Sequence, residues 1–365
     1  MTKIKDIVSY LEQIAPLAYQ EDYDHAGLVL GDPSLSVTGV LICLDITEPL
    51  LREAQAKNCN LIVAHHPLIF RPIYQLTGKN YVERCVIYAV KHNIAIYTLH
   101  TNFDNVLQGV NRQIGQTLGL NNHTILLPKS GVLRQLTAFV PHTSADSVLR
   151  ALHAAGAGRM GNYTHCNFVT TGIGSFKPTS TANPYVGAAD QSTALEEKRI
   201  EVIFPAHLET PVLRALQASH PYEEVAYYIH KIQNTDTQVG AGMVGELSQA
   251  LSSRDFLMHL KAKMCLACLR HTKPIARPIK RVAVCGGSGS FLIQEAMLKQ
   301  VDALVTADIK YHDFFKAEGQ ILIVDIGHYE SEVSTKLLIY TLLSEKFTNI
   351  ALLKCKTVTN PVHYL

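Results

Sequence analysis

The segment "NLIVAHHPLIF", residues 60–70, joins a short apolar run directly to two histidines and a proline. A pair of imidazoles at the end of a buried strand costs free energy unless hydrogen bonds or a bound group satisfy it. The same segment indicates the fold, because a helical pattern, "TEPLLREAQAKN", precedes it and another, "NYVERCVIYAVKHN", follows it. Further apolar runs, "VTGVLICLDI" and "IAIYTL", lie beyond these helices. Short apolar runs separated by helical segments predict parallel β-α-β units.

The final third of the chain repeats this alternation. Apolar runs at "RVAVCG", "DALVTAD" and "ILIVDIG" are separated by helical patterns and followed by one more. The middle differs, since residues 128–235 follow the order strand, helix, strand, strand, helix, strand that is typical of ferredoxin-like domains. The sequence therefore predicts an α/β core formed by residues 1–127 and 236–365, with an inserted ferredoxin-like α+β domain at residues 128–235.

Composition and charge exclude several classes of protein. The hydrophobic content of 47% and the charged content of 18% are ordinary for a soluble globular protein. A net charge of +2 from dispersed basic residues gives no nucleic-acid signature. No apolar run reaches the roughly 18 residues that span a membrane, and the N-terminal "MTKIKDIVSYLEQIA" predicts an amphipathic helix rather than a signal peptide. We expect a cytoplasmic protein without a membrane or nucleic-acid partner.

Metal-binding side chains follow three of the predicted strands. Parallel strands place their carboxyl ends at one edge of a sheet, where α/β proteins bind ligands. The side chains are His65 and His66, then His100 and Asp104, and then His328 and Glu332. His328 and Glu332 are four residues apart and would share one helix face. A lone strand-end histidine is more often only hydrogen-bonded or exposed to solvent, but three such ends favour a metal site.

The number of candidate ligands predicts two ions rather than one. Five side chains exceed what one tetrahedral ion needs and suit two ions that share a carboxylate. Mixed histidine and carboxylate sites accept zinc, iron and manganese alike, so the identity of the metal stays open.

A set of motifs along the chain resembles one known family. These motifs are "DHAGLVLGD", "AHHPLIF", "LHTNFDN", "DIKYHD" and "IGHYESE", together with "GRMGNYTHCNF" and "HPYEEVAYYI" in the insert. They are similar to those of the NIF-three-like family, also labelled GTP cyclohydrolase I type 2 homologues, in its long bacterial form. The resemblance implies a toroidal homohexamer with a dinuclear metal centre, whose ligands would be His65, His66, Asp104, His328 and Glu332. It also implies that the insert is PII/CutA-like and lies at the openings of the toroid.

Four further residues have weaker signals. Asp308 and His312 are four apart, so they form either an acid–base or ligand-orienting pair near the metals or an exposed surface pair. His100 either supports a ligand or makes a structural hydrogen bond. His25 stands where the family usually has asparagine, and it either lines the cavity or is a neutral replacement. The turn "CGGSGSF", residues 285–291, either cradles an anion or only permits a tight turn.

Two classes of function remain open at this point. A dinuclear centre favours metal-dependent hydrolysis, and the family label points to a nucleotide-like small molecule. Asp308 or His312 would then carry the proton. The alternative is a non-enzymatic metal-binding or regulatory hexamer whose insert senses a ligand or a partner.

Overall fold

All 365 residues are described by the structure, a computed structural model. They divide into two units, of which the first is Met1–Pro128 with Gln238–Leu365 and the second is Lys129–Thr237. None of the helices combines the length and the apolar character needed to cross a membrane.

The first chain segment builds one half of the α/β unit. Its elements are α1 (Ile4–Ile14), β1 (Gly27–Leu30), β2 (Val40–Cys43), α2 (Glu48–Ala56), β3 (Leu61–Ala64), α3 (Tyr81–Lys91), β4 (Ala95–Thr98), α4 (Thr101–Asp104), α5 (Val110–Thr117) and β5 (Leu120–Ser130). The helices begin where the sequence provides caps: the Thr47 hydroxyl accepts from the backbone of Leu50, and the Asn80 side chain accepts from that of Glu83.

The second unit contains one antiparallel sheet and two helices. Its elements are β6 (Leu133–Pro141), α6 (Ala145–Ala154), β7 (Phe168–Phe176), β8 (Thr193–Pro205), α7 (Glu209–Ser219) and β9 (Tyr227–Lys231). The strand order is β7-β8-β6-β9, and apolar residues of both helices share a core with the sheet. His220 of the "HPYEE" segment has both ring nitrogens occupied within this unit, by the Phe139 carbonyl and the Tyr222 amide.

The last chain segment completes the α/β unit. Its elements are β10 (Thr235–Leu251), α8 (Ser253–Lys263), β11 (Arg270–His271), β12 (Ile279–Ser288), α9 (Ile293–Leu298), β13 (Ala303–Ala307), β14 (Leu322–Asp325), α10 (His328–Glu332), α11 (Thr335–Lys346) and β15 (Leu352–Lys354). The segment "YHDFFKAE" forms a 3-10 helix, Tyr311–Ala317, rather than the expected α-helix. The last predicted helix is divided into α10 and α11.

Two sheets organise this α/β unit. One has the order β1-β4-β3-β2-β15 and the other β11-β14-β13-β12-β10-β5. Neighbouring strands from β15 through β2 and β3 to β4 are parallel, as are β12, β13 and β14. Leu41, Ile62 and Ile96 of the first sheet are fully buried against α2 and α3, and each such side chain contributes about 1.5–3 kcal/mol. The predicted mixed α/β class is confirmed.

Glu53 of α2 binds the C-terminal segment through hydrogen bonds to Lys356 and Thr357. Its carboxylate accepts from the backbone amides of Lys356 and Thr357, from the Thr357 hydroxyl and from the Lys57 ammonium, at 2.6–2.9 Å. Burial alone would raise the pKa of Glu53, but these hydrogen bonds outweigh it and lower the pKa from about 4.5 to about 2. The folded protein therefore favours the ionised form.

Glu53→Gln is expected to destabilise the protein by about 1.5–3 kcal/mol at neutral pH, because the hydrogen bonds would lose their charged acceptor. When folding lowers the pKa of a carboxyl group, the ionised group stabilises the folded state. This stabilisation is complete above the pKa of the unfolded chain and is lost as the pH falls to the pKa of the folded protein. The difference between wild type and variant should therefore be constant from pH 6 to 8 and shrink from pH 4.5 towards 2. Urea unfolding across this range measures it. Glu48→Gln, on the same helix but with exposed ion pairs to Arg52 and Arg84, should stay within about 0.5 kcal/mol. If wild type and Glu53→Gln had the same free energy of unfolding at neutral pH, this account would be contradicted.

Candidate metal centre

The predicted ligands lie at the carboxyl ends of strands from both sheets. His65 and His66 directly follow β3, and Asp104 ends α4, the short helix after β4. His328 and Glu332 are the first and last residues of α10, which follows β14. Both sheets therefore contribute to one group, although more than 200 residues separate the two sets in the sequence.

The first part of this group consists of His66, His328 and one oxygen of Glu332. Glu332 Oε2 lies 2.9 Å from His66 Nε2 and 3.1 Å from His328 Nε2, and the two nitrogens are 3.3 Å apart. Two ligands bound to one ion at about 2.0–2.1 Å are about 2.8–3.4 Å apart in octahedral or tetrahedral shells. The three atoms therefore have the spacing of ligands to a single ion.

The second part consists of His65, Asp104 and the other oxygen of Glu332. His65 Nε2 lies 3.7 Å from Glu332 Oε1 and 3.8 Å from Asp104 Oδ1. Both His65 Nε2 and Asp104 Oδ1 are buried and have no hydrogen-bond partner. A buried polar atom without a partner costs about 1–3 kcal/mol. Two such atoms 3.8 Å apart fit a cation, and the donors of His65, His66 and Glu332 all lie within 4.8 Å of one another.

The opposite ring nitrogens of the three histidines are all anchored. His65 Nδ1 donates to the Leu99 carbonyl at 2.8 Å. His66 Nδ1 lies 2.7 Å from Asp45 Oδ1, and His328 Nδ1 lies 2.6 Å from Asp308 Oδ2. Carboxylates and carbonyls in these positions fix the tautomer that presents Nε2 to a metal.

The sequence prediction missed Asp45, the carboxylate that holds the His66 ring. It lies just beyond β2, and its second oxygen accepts from the Thr359 hydroxyl at 2.6 Å. The available signal was the same as at the other positions: an acidic residue after a buried strand. No histidine lies next to Asp45 in the sequence, and its partner His66 follows a neighbouring strand, so residue spacing does not connect the two.

Asp45→Ala is expected to weaken metal binding by about 10–100-fold, because His66 would lose the partner that orients its ring. Competition with a chromophoric chelator measures this affinity. Asp22→Ala removes an exposed carboxylate elsewhere in the same unit and should leave the affinity unchanged. Equal affinities in the two variants would show that Asp45 does not orient His66.

Charges at the centre are arranged around Glu332. Burial alone would lower the pKa of His66, but Asp45 and Glu332 raise it to about 10. Burial would likewise lower the pKa of His328, which Glu332 and Asp308 instead raise to about 9. The same contacts keep the pKa of Glu332 well below its ordinary value despite its burial. The ionised Glu332 carboxylate and the imidazoles of His66 and His328 therefore favour each other's charged forms, and binding of metal cations would release the imidazole protons.

The pKa shifts of the other two ligand candidates favour their neutral forms. Burial lowers the pKa of His65. Burial and the charge of Glu332 raise the pKa of Asp104 well above its ordinary value. Two opposite shifts at neighbouring groups are typical of functional sites.

Of the two remaining histidine candidates, His100 lies beside the ligand group, whereas the side chain of His25 is exposed. His100 lies beside the group, with its ring centroid 5.4 Å from that of His65 and its Nδ1 2.8 Å from Asp24 Oδ1. Burial would raise the pKa of Asp24, but hydrogen bonds from His100, Thr101 and the His25 amide lower it to about 2. His25 contributes only that backbone amide, and its side chain is exposed.

The predicted i,i+4 pair of Asp308 and His312 is not formed. Asp308 has a left-handed backbone with φ 54°, and the following 3-10 helix begins only at Tyr311, so the residues do not share a helix face. Asp308 instead contacts His328 and accepts from the Ser288 hydroxyl. His312 is exposed, and its ring contacts those of Tyr311 and Phe315.

The glycine-rich turn brings the backbone close to Glu332, and two of its amides already have protein acceptors. Gly287 has φ 60°, and a Cβ atom there would lie 2.5 Å from Glu332 Oε1. Its amide donates to the Ser331 hydroxyl, and the Gly286 amide donates to Asn111. Because protein atoms accept from both amides, the close approach of backbone to carboxylate explains these glycines.

Comparisons with known proteins agree with this fold. Residues 2–361 match the Duf34/NIF3 (NGG1p interacting factor 3) family. A Bacillus subtilis protein named GTP cyclohydrolase 1 type 2 homolog is 35% identical over 99% of this chain and 98% of its own length. A crystal structure of a Bacillus cereus protein related to NIF3 is 34% identical, with a TM-score of 0.87 over 100% of this chain and 99% of that one. HcgD from Methanocaldococcus jannaschii, at 17% identity and a TM-score of 0.58, shares the fold over 98% of each chain. The resemblance inferred from the motifs is thus confirmed, and the chain belongs to the Duf34/NIF3 family.

Proposed function

We propose that this protein binds two divalent metal ions, zinc, iron or manganese, and hydrolyses a small nucleotide-like molecule. The observation that carries the proposal is the division of Glu332 between two groups of donors. Its Oε2 is closest to His66 and His328, and its Oε1 faces His65. A carboxylate shared in this way is typical of two-metal hydrolytic sites.

The protein's own residues hold this centre in place. When bound, the ions would supply Lewis acidity and a water of lowered pKa. Asp45 and Asp308 fix the rings of His66 and His328 through Nδ1. Asp308 therefore acts first as a positioning residue. Proton transfer by Asp308 or His312 stays a prediction, and for His312 it would require access to the site from its exposed position.

The name of the similar proteins supports a hydrolytic reaction class. Proteins at 32–35% identity over nearly the whole chain are named GTP cyclohydrolase 1 type 2 homologs. A cyclohydrolase opens a ring by adding water, which is the chemistry that two ions beside a shared carboxylate would assist.

Elemental analysis tests the proposal directly. Wild-type protein produced with zinc, iron and manganese should contain about two ions per chain, and His65→Ala/His66→Ala should lose them. His25→Ala, which removes an exposed histidine of the same unit, should retain both ions. Less than about half an ion per wild-type chain after metal is added back would refute the proposal.

We also propose that residues 128–235 form an inserted ferredoxin-like, PII/CutA-like domain and that the chain assembles as a cytoplasmic toroidal homohexamer. Supporting the first point, the strand order β7-β8-β6-β9 with two helices on one sheet is the order of that fold. Light scattering after size exclusion would measure the number of chains, and a monomer at micromolar concentration would contradict the hexamer.

A further inference from the structure

The metal centre opens into a cavity of about 890 Å³, large enough for a small organic molecule. His66, Asp104, His328 and Glu332 form part of its wall. The rest of the wall decides which molecules can reach these side chains, and two of its features are informative.

The first feature is a lack of available positive charge. No lysine lines the cavity, and Arg270 is its only arginine. The Arg270 guanidinium is already bonded to Asp325 and to the Ile309 carbonyl, and it lies 5.6 Å from the Phe314 ring centre. Apart from metal ions, phosphate groups are normally held by free arginine or lysine side chains or by unpaired backbone amides. The amides of the glycine-rich turn that donate to Ser331 and Asn111 are not free for this role.

Negative charge in the cavity wall further disfavours a ligand with several phosphate groups. The charge of two divalent ions would be matched by Asp104, Glu332, Asp45 and Asp308. Glu21 and Glu330 then add negative charge to the same wall. A chain of phosphates extending from the ions would face these carboxylates without compensation.

The second feature is a set of exposed aromatic rings. The exposed fractions are 55% for Phe70, 54% for Tyr81, 62% for Phe291 and 47% for Tyr364, and all four residues line the cavity. Large apolar side chains left open beside a polar centre are typical of ligand sites. Phe70 lies beside the candidate metal ligands, with its ring centroid 6.2 Å from that of His100. Aromatic faces bind planar rings whatever their hydrogen-bonding pattern.

We propose that this cavity accepts a planar aromatic or heteroaromatic molecule that is uncharged or carries one charge, and that it discriminates against nucleoside triphosphates. The inference rests on the proposed metal-dependent function, because the ring would be held beside the two ions. It narrows the substrate class to the ring part of a nucleotide-like molecule.

Calorimetric titration of the metal-loaded full-length protein with guanosine and with GTP tests this proposal, since the two share one ring system and differ in charge. Guanosine is expected to bind about tenfold or more tightly than GTP. Phe70→Ala and Phe291→Ala should each weaken guanosine binding by about tenfold, the effect of losing one stacking ring. Tyr74→Ala removes a ring that is 91% exposed and does not line the cavity, and it should have no effect.

Three results would overturn the inference. They are tighter binding of GTP than of guanosine, competition by inorganic triphosphate, and no binding of guanosine at millimolar concentration. Metal analysis of the same samples separates the two proposals. Two ions per chain without guanosine binding refute only the inference about the ligand, whereas absence of metal refutes the proposed function itself.

Discussion

Glu332→Gln is expected to remove both metal ions, whereas His328→Ala should remove only one. Glu332 is buried, and its two oxygens face different donors: Oε1 faces His65, and Oε2 lies between His66 and His328. Glutamine keeps the shape of the side chain but removes the negative charge that both ions would share. His328 forms an ion pair with Glu332 but not with Asp104, and it makes no hydrogen bond with His65. Its loss should therefore spare the metal position beside His65 and Asp104.

Metal content per chain measures this difference. We expect about two ions in wild type, fewer than about 0.5 in Glu332→Gln and about one in His328→Ala. Glu330→Gln is the matched control, because Glu330 lies on the same short helix and contacts Asn360 instead of the histidines. If Glu332→Gln retained one ion, Glu332 would belong to a single metal position and the shared-carboxylate arrangement would be wrong.

Gly287→Ala should also abolish metal binding, although residue 287 offers no ligand atom. A Cβ atom at this position would lie 2.5 Å from Glu332 Oε1 and 3.3 Å from His328 Cε1. No flexible surface side chain can move aside here, because Glu332 is buried and fixed by three histidines. The left-handed backbone at φ 60° adds about 1–2 kcal/mol of strain.

Gly319→Ala separates the two effects of this substitution. Gly319 has a similar φ of 69°, but nothing lies within 4 Å of its added Cβ. Backbone strain alone should destabilise Gly319→Ala by about 1–2 kcal/mol in urea unfolding. Gly287→Ala should lose more stability than that, and only Gly287→Ala should lose metal. Normal metal content in a folded Gly287→Ala protein would show that Glu332 can shift without consequence.

The alternating core was predictable because its strands are short and buried on both faces. β3, β4 and β14 are continuous apolar runs, and each ends directly at a polar side chain. Other strands lacked that signal. β10 has seventeen residues that include three glycines and several polar side chains, and its burial changes along its length. A period-two pattern is weak in such a segment, so pairing with β12 rather than local sequence specifies it.

Site residues were predictable where a metal-binding residue type followed a strand that could be recognised from its apolar run. His65, His66, Asp104, His328 and Glu332 met this condition, and the fold brings them within a few ångströms of one another. Asp45 was missed because its partner His66 lies on a neighbouring strand, and strand order cannot be read from spacing. The pairing of Asp308 with His312 failed because the spacing argument assumed an α-helix where the backbone turns left-handed.

Anomalous diffraction from crystals of the metal-loaded protein tests the two-ion centre most directly. We expect two peaks about 3.5–4 Å apart, one beside His65 and Asp104 and one beside His66 and His328, with Glu332 between them. A single peak bound by all three histidines, or peaks only at surface residues, would contradict the shared-carboxylate centre and the function proposed from it.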